Sequence, residues 1–170
     1  MPITLNELNA LGPNDFVRLI GPVFEHSPWI SEAAGGQRPF RSIEHLHRAL
    51  CDVVRAAGEE RQLALIRAHP DLVDQAALSG GLTPASTSEQ ASASLDRLTQ
   101  QEIDLFQRSN SAYREKFGFP FVICARLNKK EAILAAFPLR LAHDRDTEIH
   151  AALEEIYKIA YLRLRDILAV

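Results

Sequence analysis

The chain has 170 residues, 46% of them hydrophobic and 24% charged, which indicates a globular protein of one domain with a buried core. The formal net charge of −3 gives no global positive field, and this argues against nucleic acid as a partner. The two cysteines, Cys51 and Cys124, lie far apart. Neither a disulfide framework nor a zinc site is expected, and a reducing compartment is the simpler assumption.

Targeting signals are not recognisable in the sequence. Residues 1–11 lack the charged and then apolar pattern of a secretory signal, and no stretch approaches the roughly 18–20 apolar residues that cross a bilayer. The final residues Ile167-Leu168-Ala169-Val170 are not a peroxisomal tripeptide. We therefore expect a cytoplasmic protein that does not associate with membranes.

The first part of the chain predicts several helices and one irregular segment. Side chains that cap helices indicate starts at Thr4, Asn14 and Ser42. Prolines and a Gly-Gly pair predict that residues 21–41 are irregular or broken. A further helix is expected over about Glu59–Ala68.

The second part begins with a break, because Pro70 disfavours helical geometry at His69. Ser86-x-x-Glu89 resembles a capping box and predicts a helix that starts at Ser86. Thr99-x-x-Glu102 is another capping-box pattern, and it predicts the start of a long helix that extends to about Lys116.

The last part predicts two more helices. One starts at Asn128, and Pro138 is expected to bend or interrupt it. The other covers about Asp146–Leu168 and carries an apolar stripe. Only Phe121–Cys124 suggests a strand, and one strand cannot form a sheet. We predict an all-α fold, an irregular bundle of about eight helices in a single domain over residues 1–170.

His69 is the first candidate for proton transfer, since imidazole can give or take a proton near neutral pH. It follows a predicted helix, whose dipole favours a cation at that end. The alternative is a polar residue that only caps the helix. Five other histidines compete with it: His26, His45, His47, His143 and His150.

Glu89 is the second candidate, as a carboxylate that orients His69 or holds a substrate hydroxyl. As the third residue of the Ser86 capping box, it can instead bond only to the backbone, and the two roles can coexist. A helix start with Ser86, Thr87 and Ser88 offers hydroxyls and backbone N–H groups, a natural receptor for a carboxylate.

Arg163 lies on the apolar stripe of the last helix, at the spacing of Ile156, Ala160 and Ile167. A charge on a core face is costly unless it is paired. Arg163 therefore either pairs with an internal carboxylate or meets an anionic ligand, and the sequence leaves both open. Arg165 lies on the other face and is expected to be solvated.

The segment Phe117–Ile123 is aromatic and rigid. It is either a plug in the core or a pocket wall whose backbone groups read a planar polar ligand. The sequence contains no HExxH motif, no cluster of metal ligands, no phosphate loop and no GxSxG elbow, so no metal or nucleotide is expected.

Short motifs follow one another over almost the whole chain, from about Asn14 to Leu168. They are Phe24-Glu25-His26-Ser27-Pro28-Trp29, Arg38-Pro39-Phe40, His69-Pro70-Asp71-Leu72, Ser86-Thr87-Ser88-Glu89-Gln90, Asn110-x-x-Tyr113, Phe117-Gly118-Phe119-Pro120-Phe121 and Ile159-Ala160-Tyr161-Leu162-Arg163-Leu164. In this order they resemble the family of decarboxylases that act on 2-oxo-4-hydroxy-4-carboxy-5-ureidoimidazoline (OHCU) in urate degradation.

The resemblance implies an all-α, commonly dimeric enzyme that forms (S)-allantoin from OHCU without a cofactor or metal. It implies that His69 is the catalytic acid or base, and Glu89 is expected to be the second catalytic residue. It also implies substrate contacts for Pro70, Ser86, Thr87, Ser88, Glu89, Gln90, Phe121, Val122, Ile123, Cys124, Ala125 and Arg163.

The chain departs from the pattern expected of this family at Val73-Asp74, where Ala-Gly is common, and at Pro138. Both departures concern local geometry rather than the reaction. Two alternatives stay open: a non-catalytic helical binding protein that keeps the fold, and a ring-opening hydrolase of the same pathway. The hydrolase would usually need a metal or a nucleophile, and the sequence shows neither.

Overall fold

The computed structural model describes residues 1–74 and 79–169, and this part of the chain forms nine α-helices and two short 3-10 turns. It contains no β-strand, only an isolated bridge between Ile3 and Leu168. The predicted all-α fold is confirmed. None of the described helices is both long enough and apolar enough to cross a membrane.

The contacts divide the chain into two compact units. Unit 1 comprises Met1–Ala68 and the end of the chain from Ile156, and unit 2 comprises His69–Glu155. The helices of unit 1 are α1 Leu5–Ala10, α2 Pro13–Ile20, α3 Trp29–Gly35, α4 Ile43–Ala56 and α5 Glu59–Ala68. Those of unit 2 are α6 Pro84–Ser92, α7 Gln100–Phe117 and α8 Lys130–Leu141. The last helix, α9 Arg145–Ile167, contributes residues to both units.

Three of the predicted caps are present. The Thr4 hydroxyl accepts a hydrogen bond from the Glu7 amide at 3.2 Å, and the Glu7 side chain accepts one from the Thr4 amide at 2.7 Å. Ser42 accepts from the His45 amide at 3.1 Å. Thr99 caps α7 in the same way. Each cap satisfies a backbone donor that the first helical turn leaves without a partner.

The predicted start at Ser86 is wrong. α6 begins at Pro84, and the hydroxyl of Thr83 accepts the hydrogen bond from the Ser86 amide at 3.3 Å. Proline is favoured at the first helical position because its fixed φ suits the helix and its missing N–H is not needed there. Glu89 therefore lies in the middle of the helix, and its carboxylate does not cap the start.

Other boundaries shift by one or two residues or are new. α2 begins at Pro13 rather than Asn14, and α8 begins at Lys130 rather than Asn128. The segment 21–41, expected to be irregular, contains α3. α8 continues through Pro138 to Leu141, so Pro138 does not interrupt it.

Aromatic side chains form the core of unit 2. α7 ends at Gly118, whose φ of +78° suits glycine, and the chain then turns into the segment before residue 125. The ring of Phe121 stacks on that of Phe137, with centroids 4.0 Å apart. Tyr113 meets Phe121 edge to face at 5.3 Å. The cluster is completed by the buried rings of Phe106, Phe117 and Phe119.

Candidate active site

His69 follows the last residue of α5 and has non-helical backbone, as the break at Pro70 predicts. Its side chain is buried, with only 6% of the residue exposed. A histidine that merely capped the helix in solvent would be exposed. Burial keeps this titratable side chain out of bulk water, and a titratable group in such surroundings is a candidate for a functional site.

Side-chain amides from two helices hold the loop that follows His69. Gln90 of α6 accepts a hydrogen bond from the Val73 amide at 3.2 Å and donates one to the Asp71 carbonyl at 3.5 Å. Asn110 of α7 donates to the Leu72 carbonyl at 2.7 Å. Together they fix the backbone next to the histidine.

Val73 ends this loop with a φ of +55°. A β-branched residue rarely adopts the left-handed region, and such strain is concentrated at functional sites. The departure from the family pattern at this position therefore coincides with unusual backbone. The Gln90 side chain holds the strained amide in place.

Asp71 in the same loop forms an ion pair with Arg114, with Nε 2.7 Å from Oδ2. Burial raises the pKa of the Asp71 carboxyl, and the hydrogen bond from Arg114 opposes this shift only in part. Its other oxygen, Oδ1, is buried and has no hydrogen-bond partner among the residues that the structure describes. The loop thus contains a partly compensated acid close in sequence to His69.

Helix α6 turns one polar face inward. Ser86, Glu89 and Gln90 are buried, whereas Thr87 and Ser88 are exposed. The spacing of three and four residues places the first three on one side of the helix. Because Gln90 bonds to the loop after His69, this face belongs to the same part of unit 2 as the histidine.

Residues 121–125 are buried, and residues 121–124 have non-helical backbone. The Val122 carbonyl accepts a hydrogen bond from Arg140, and the Cys124 carbonyl accepts one from Asn128 at 2.9 Å. The backbone N–H groups of residues 121–125 donate to none of the described residues. Buried amides need acceptors, so this row of donors suits a polar ligand.

The Cys124 thiol lies close enough to Glu89 to be influenced by its charge. Burial raises the pKa of the Cys124 thiol; the Leu127 and Arg126 amides oppose this, whereas the carboxylates of Glu155 and Glu89 raise it further. The 3-10 turn Ala125–Leu127 packs against α6. Unit 2 therefore brings the inward face of α6 together with both the His69 loop and the segment 121–125.

Arg163 belongs to unit 1 and is buried. Its Nη2 donates to Oε1 of the buried Glu25 at 2.9 Å. Nη1 lies 3.4 Å from the carbonyl oxygens of Pro22 and Val23. The pairing with an internal carboxylate is present, and a contact with an anionic ligand stays a prediction. Arg165 is exposed, as expected.

A second buried charge pair, Arg140 with Glu148 in unit 2, was not predicted from the sequence. The signal was available: Arg140 continues the buried stripe of Ile133 and Phe137 at helical spacing, the same pattern that singled out Arg163. In residues 1–74 and 79–169, no group of three or more His, Cys, Asp or Glu side chains could hold a metal ion.

The fold and these groups define an all-α protein with buried acid–base side chains beside non-helical backbone. Comparison with known sequences shows to which family of all-α proteins the chain belongs. Residues 9–165 match the family described as OHCU decarboxylase. The chain belongs to the OHCU decarboxylase family.

Two relatives match this chain over nearly their full length. A 2-oxo-4-hydroxy-4-carboxy-5-ureidoimidazoline decarboxylase of Haloferax volcanii is 44% identical over 164 residues, which cover 96% of this chain and 95% of that one. One of Amia calva is 37% identical, over 96% of this chain and 94% of the relative. The crystal structure of an (S)-allantoin synthase superposes with a TM-score of 0.80 at 28% identity, covering 99% of this chain and 54% of the other.

Proposed function

We propose that the protein converts OHCU to (S)-allantoin in urate degradation, as a cofactor-independent carboxy-lyase. The observation that carries this proposal is the family match over residues 9–165, together with the 44% identity to a decarboxylase covered almost end to end. The buried histidine, the inward face of α6 and the row of backbone donors supply the kinds of group that the reaction needs.

The substrate supplies its own electron sink. In OHCU, ring carbon C4 carries the carboxylate and the hydroxyl, and C5 forms a C=N bond with a ring nitrogen. When the bond from C4 to the carboxylate breaks, its electron pair forms a C4=C5 bond, and the C=N pair moves to the nitrogen, which takes up a proton. The C4 hydroxyl then becomes a carbonyl as C5 gains a proton, so the chemistry requires no pyridoxal, thiamine or metal.

The protein must therefore orient the carboxylate for departure and deliver a proton to one face of C5. We assign the proton transfer to His69, with Glu89 orienting it or holding the C4 hydroxyl. General acid–base assistance of this kind contributes ~10²–10⁴ in rate. Pro70, Ser86, Gln90 and residues 121–125 are proposed to line the site. Thr87 and Ser88 stay in the proposed contact set, although both are exposed.

Further parts of the proposal rest on the sequence and on the family pattern. Arg163 is proposed to bind the substrate or to anchor an acidic residue of the site. The protein is proposed to be a cytoplasmic homodimer whose 170 residues act as one decarboxylase domain. Sedimentation of the purified protein tests the dimer.

The decisive measurement is circular dichroism of freshly generated OHCU with and without the protein. We expect the signal of (S)-allantoin to develop faster than spontaneous decay, and to do so equally after treatment with a chelator. Spontaneous decay gives a racemic product, so facial selection reports on the protein. Racemic allantoin formed at the spontaneous rate would contradict the proposal and favour a non-catalytic binding protein.

A further inference from the structure

We infer that Arg140 and Glu148 form a positioning pair that aims the backbone amides of Ile123 and Ala125 at the substrate. The inference rests on the proposed function, since it gives those amides a ligand. Neither side chain is a catalytic residue in this reading. Both act by fixing the segment 121–125, which we call the donor segment.

The geometry of the pair joins three helices to the donor segment. Arg140 of α8 places its Nε 3.0 Å and its Nη2 2.9 Å from Oε2 of Glu148 on α9. Tyr113 of α7 donates its hydroxyl to the same oxygen. The third nitrogen, Nη1 of Arg140, donates to the Val122 carbonyl. The planar guanidinium thus spans the carboxylate and the segment at once.

A peptide group makes this contact directional. The Val122 carbonyl and the Ile123 amide belong to one planar trans peptide, so they point in opposite directions. When Arg140 fixes the carbonyl, it also fixes where the Ile123 amide points. Asn128 holds the Cys124 carbonyl at 2.9 Å and fixes the Ala125 amide by the same logic.

The Ile123 amide therefore points away from Arg140, and the Ala125 amide points away from Asn128. Neither amide donates to any residue in the described ranges. Two backbone donors this close in sequence match a carboxylate or a ring carbonyl, and OHCU offers both.

The pair also holds the aromatic side chain of the segment. The Arg140 guanidinium lies 4.4 Å from the centroid of the Phe121 ring, whose other contacts include the stacked Phe137. A cation over an aromatic face is attracted by the ring quadrupole. Side chain and backbone of the segment are therefore fixed by one guanidinium.

The lowered pKa of Glu148 keeps its carboxylate ionised and paired with Arg140 at neutral pH. Burial alone would raise the pKa of Glu148, but hydrogen bonds from Arg140 and Tyr113 outweigh it and lower the pKa. Burial and the neighbouring Glu148 raise the pKa of Tyr113, which keeps its hydroxyl a donor. A buried ion pair often stabilises a fold no more than well-packed apolar residues would, so stability alone does not explain Arg140 and Glu148. The hydrogen bond from Arg140 to the donor segment is the observation that supports a positioning role.

Two substitutions test the inference with different risks to folding. Arg140→Lys keeps the positive charge but loses the fork that reaches Glu148 and Val122 together. Tyr113→Phe keeps the ring and removes only the hydroxyl. We expect Arg140→Lys to lower kcat/KM on the order of 10²-fold, as small misplacements in a site can, with most of the loss in KM. Tyr113→Phe should show a smaller loss of the same kind.

The matched control is the ion pair of Lys130 with Glu102, which joins α8 to α7 at 2.9 Å and does not bond to the donor segment. Lys130→Met should lower thermal stability slightly and leave KM unchanged. Folded Arg140→Lys with wild-type KM and kcat would overturn the inference. If Arg140→Lys does not fold, wild-type kinetics of Tyr113→Phe would overturn it instead.

A readout besides turnover separates this inference from the proposed function. On addition of (S)-allantoin, the amide NMR signals of Ile123 and Ala125 should shift in the wild type, and Arg140→Lys should need about tenfold more allantoin for the same shift. If the wild type is active but these signals do not move, the inference is wrong and the proposed function stands. If the wild type is inactive but the signals shift as expected, the proposed function is wrong and the inference stands.

Discussion

The two non-helical segments of the candidate site differ in what they contribute. In the proposed site, the loop that begins at His69 would contribute a side chain, and residues 121–125 would contribute backbone amides. The loop is held by Gln90 and Asn110, which bond to the backbone of residues 71–73. The donor segment is held through its carbonyls. Each segment is held through backbone groups to which the proposed reaction assigns no role.

This difference separates acting groups from anchoring groups, and the two should respond differently to substitution. Loss of an acting group should reduce turnover without destabilising the fold. Loss of an anchor should destabilise the fold, the site or both. The following substitutions test that division.

His69→Ala should have the largest effect on turnover. Removing the acid or base should lower kcat by a factor on the order of 10² or more, with helicity and thermal stability near wild type. Steady-state kinetics and thermal melts measure both. His150→Ala is the matched control, because that histidine is exposed in the same unit. If His69→Ala retains most of its activity, the assignment is wrong, and His26 or Glu89 becomes the candidate.

Arg163 tests whether unit 1 contains an anchor. Arg163→Met leaves Glu25 buried without its 2.9 Å partner and should destabilise the protein by about 3–5 kcal/mol. Arg163→Lys should not restore the wild type, since a lysine cannot replace the planar fork. Denaturant unfolding and KM should be compared with those of Arg165→Met, whose side chain is exposed.

Two outcomes separate the roles of Arg163. Stable variants with a raised KM would show a ligand role, and unstable variants with normal kinetics in the folded fraction would show an anchor. Wild-type behaviour in both would remove Arg163 from the site.

Asn110→Ala should release the loop after His69. The Leu72 carbonyl loses its buried 2.7 Å donor, and an unsatisfied buried group costs about 1–3 kcal/mol. We expect a lower unfolding midpoint and a lower kcat, because the backbone beside His69 gains freedom. Asn14→Ala at an exposed position should change neither. A destabilised variant with full kcat would show that the loop needs no anchor for catalysis.

Glu89→Gln tests whether Glu89, on the inward face of α6, acts in the reaction or only anchors the fold. Because Thr83 caps the helix, the substitution removes no cap and should cost little stability. If Glu89 acts on the substrate or on His69, kcat should fall about tenfold or more. Glu115→Gln, exposed on α7, is the control for loss of one negative charge. Stable Glu89→Gln with full activity would leave Glu89 a structural role only.

The sequence predicts the helices well where local signals decide them. The Thr4, Ser42 and Thr99 caps and the bounds of Glu59–Ala68 follow from short-range chemistry and are confirmed. Ser86 fails because a serine and a glutamate three residues apart also occur inside a helix, and here Thr83-Pro84 gives the stronger start.

The candidate site divides in the same way. His69 and Glu89 stand out by residue type and motif, and Arg163 stands out as a charge on an apolar stripe. The anchors Gln90 and Asn110 contact backbone 17 and 38 residues away in sequence, so no local pattern reveals those contacts. Which amides point at a ligand depends on the same long-range bonds.

The smallest expected effect is on how stability depends on pH. It contrasts Glu148, which lies near the donor segment, with Asp71, which lies in the loop after His69. Folding lowers the pKa of Glu148 below its usual 4.5, so its contribution to stability is present above pH 4.5 and is lost as pH falls through the folded pKa. Folding raises the pKa of Asp71 above its usual 3.8. Its contribution has the opposite sign, present below pH 3.8 and lost as pH rises through the folded pKa.

Asp71→Asn should therefore remove a loss of stability that the wild type shows on going from pH 4 toward neutral, while the acid-side loss below pH 4.5 persists. Unfolding midpoints in denaturant from pH 3 to pH 7 measure both limbs. The exposed acids Glu7, Glu44 and Asp144 also have lowered pKa values, so the acid limb is shared and only the difference between variant and wild type is diagnostic. Identical pH profiles for Asp71→Asn and wild type would show that Arg114 fully compensates the buried Asp71 carboxylate. The contributions of Asp71 and Glu148 to stability would then not have opposite pH dependence.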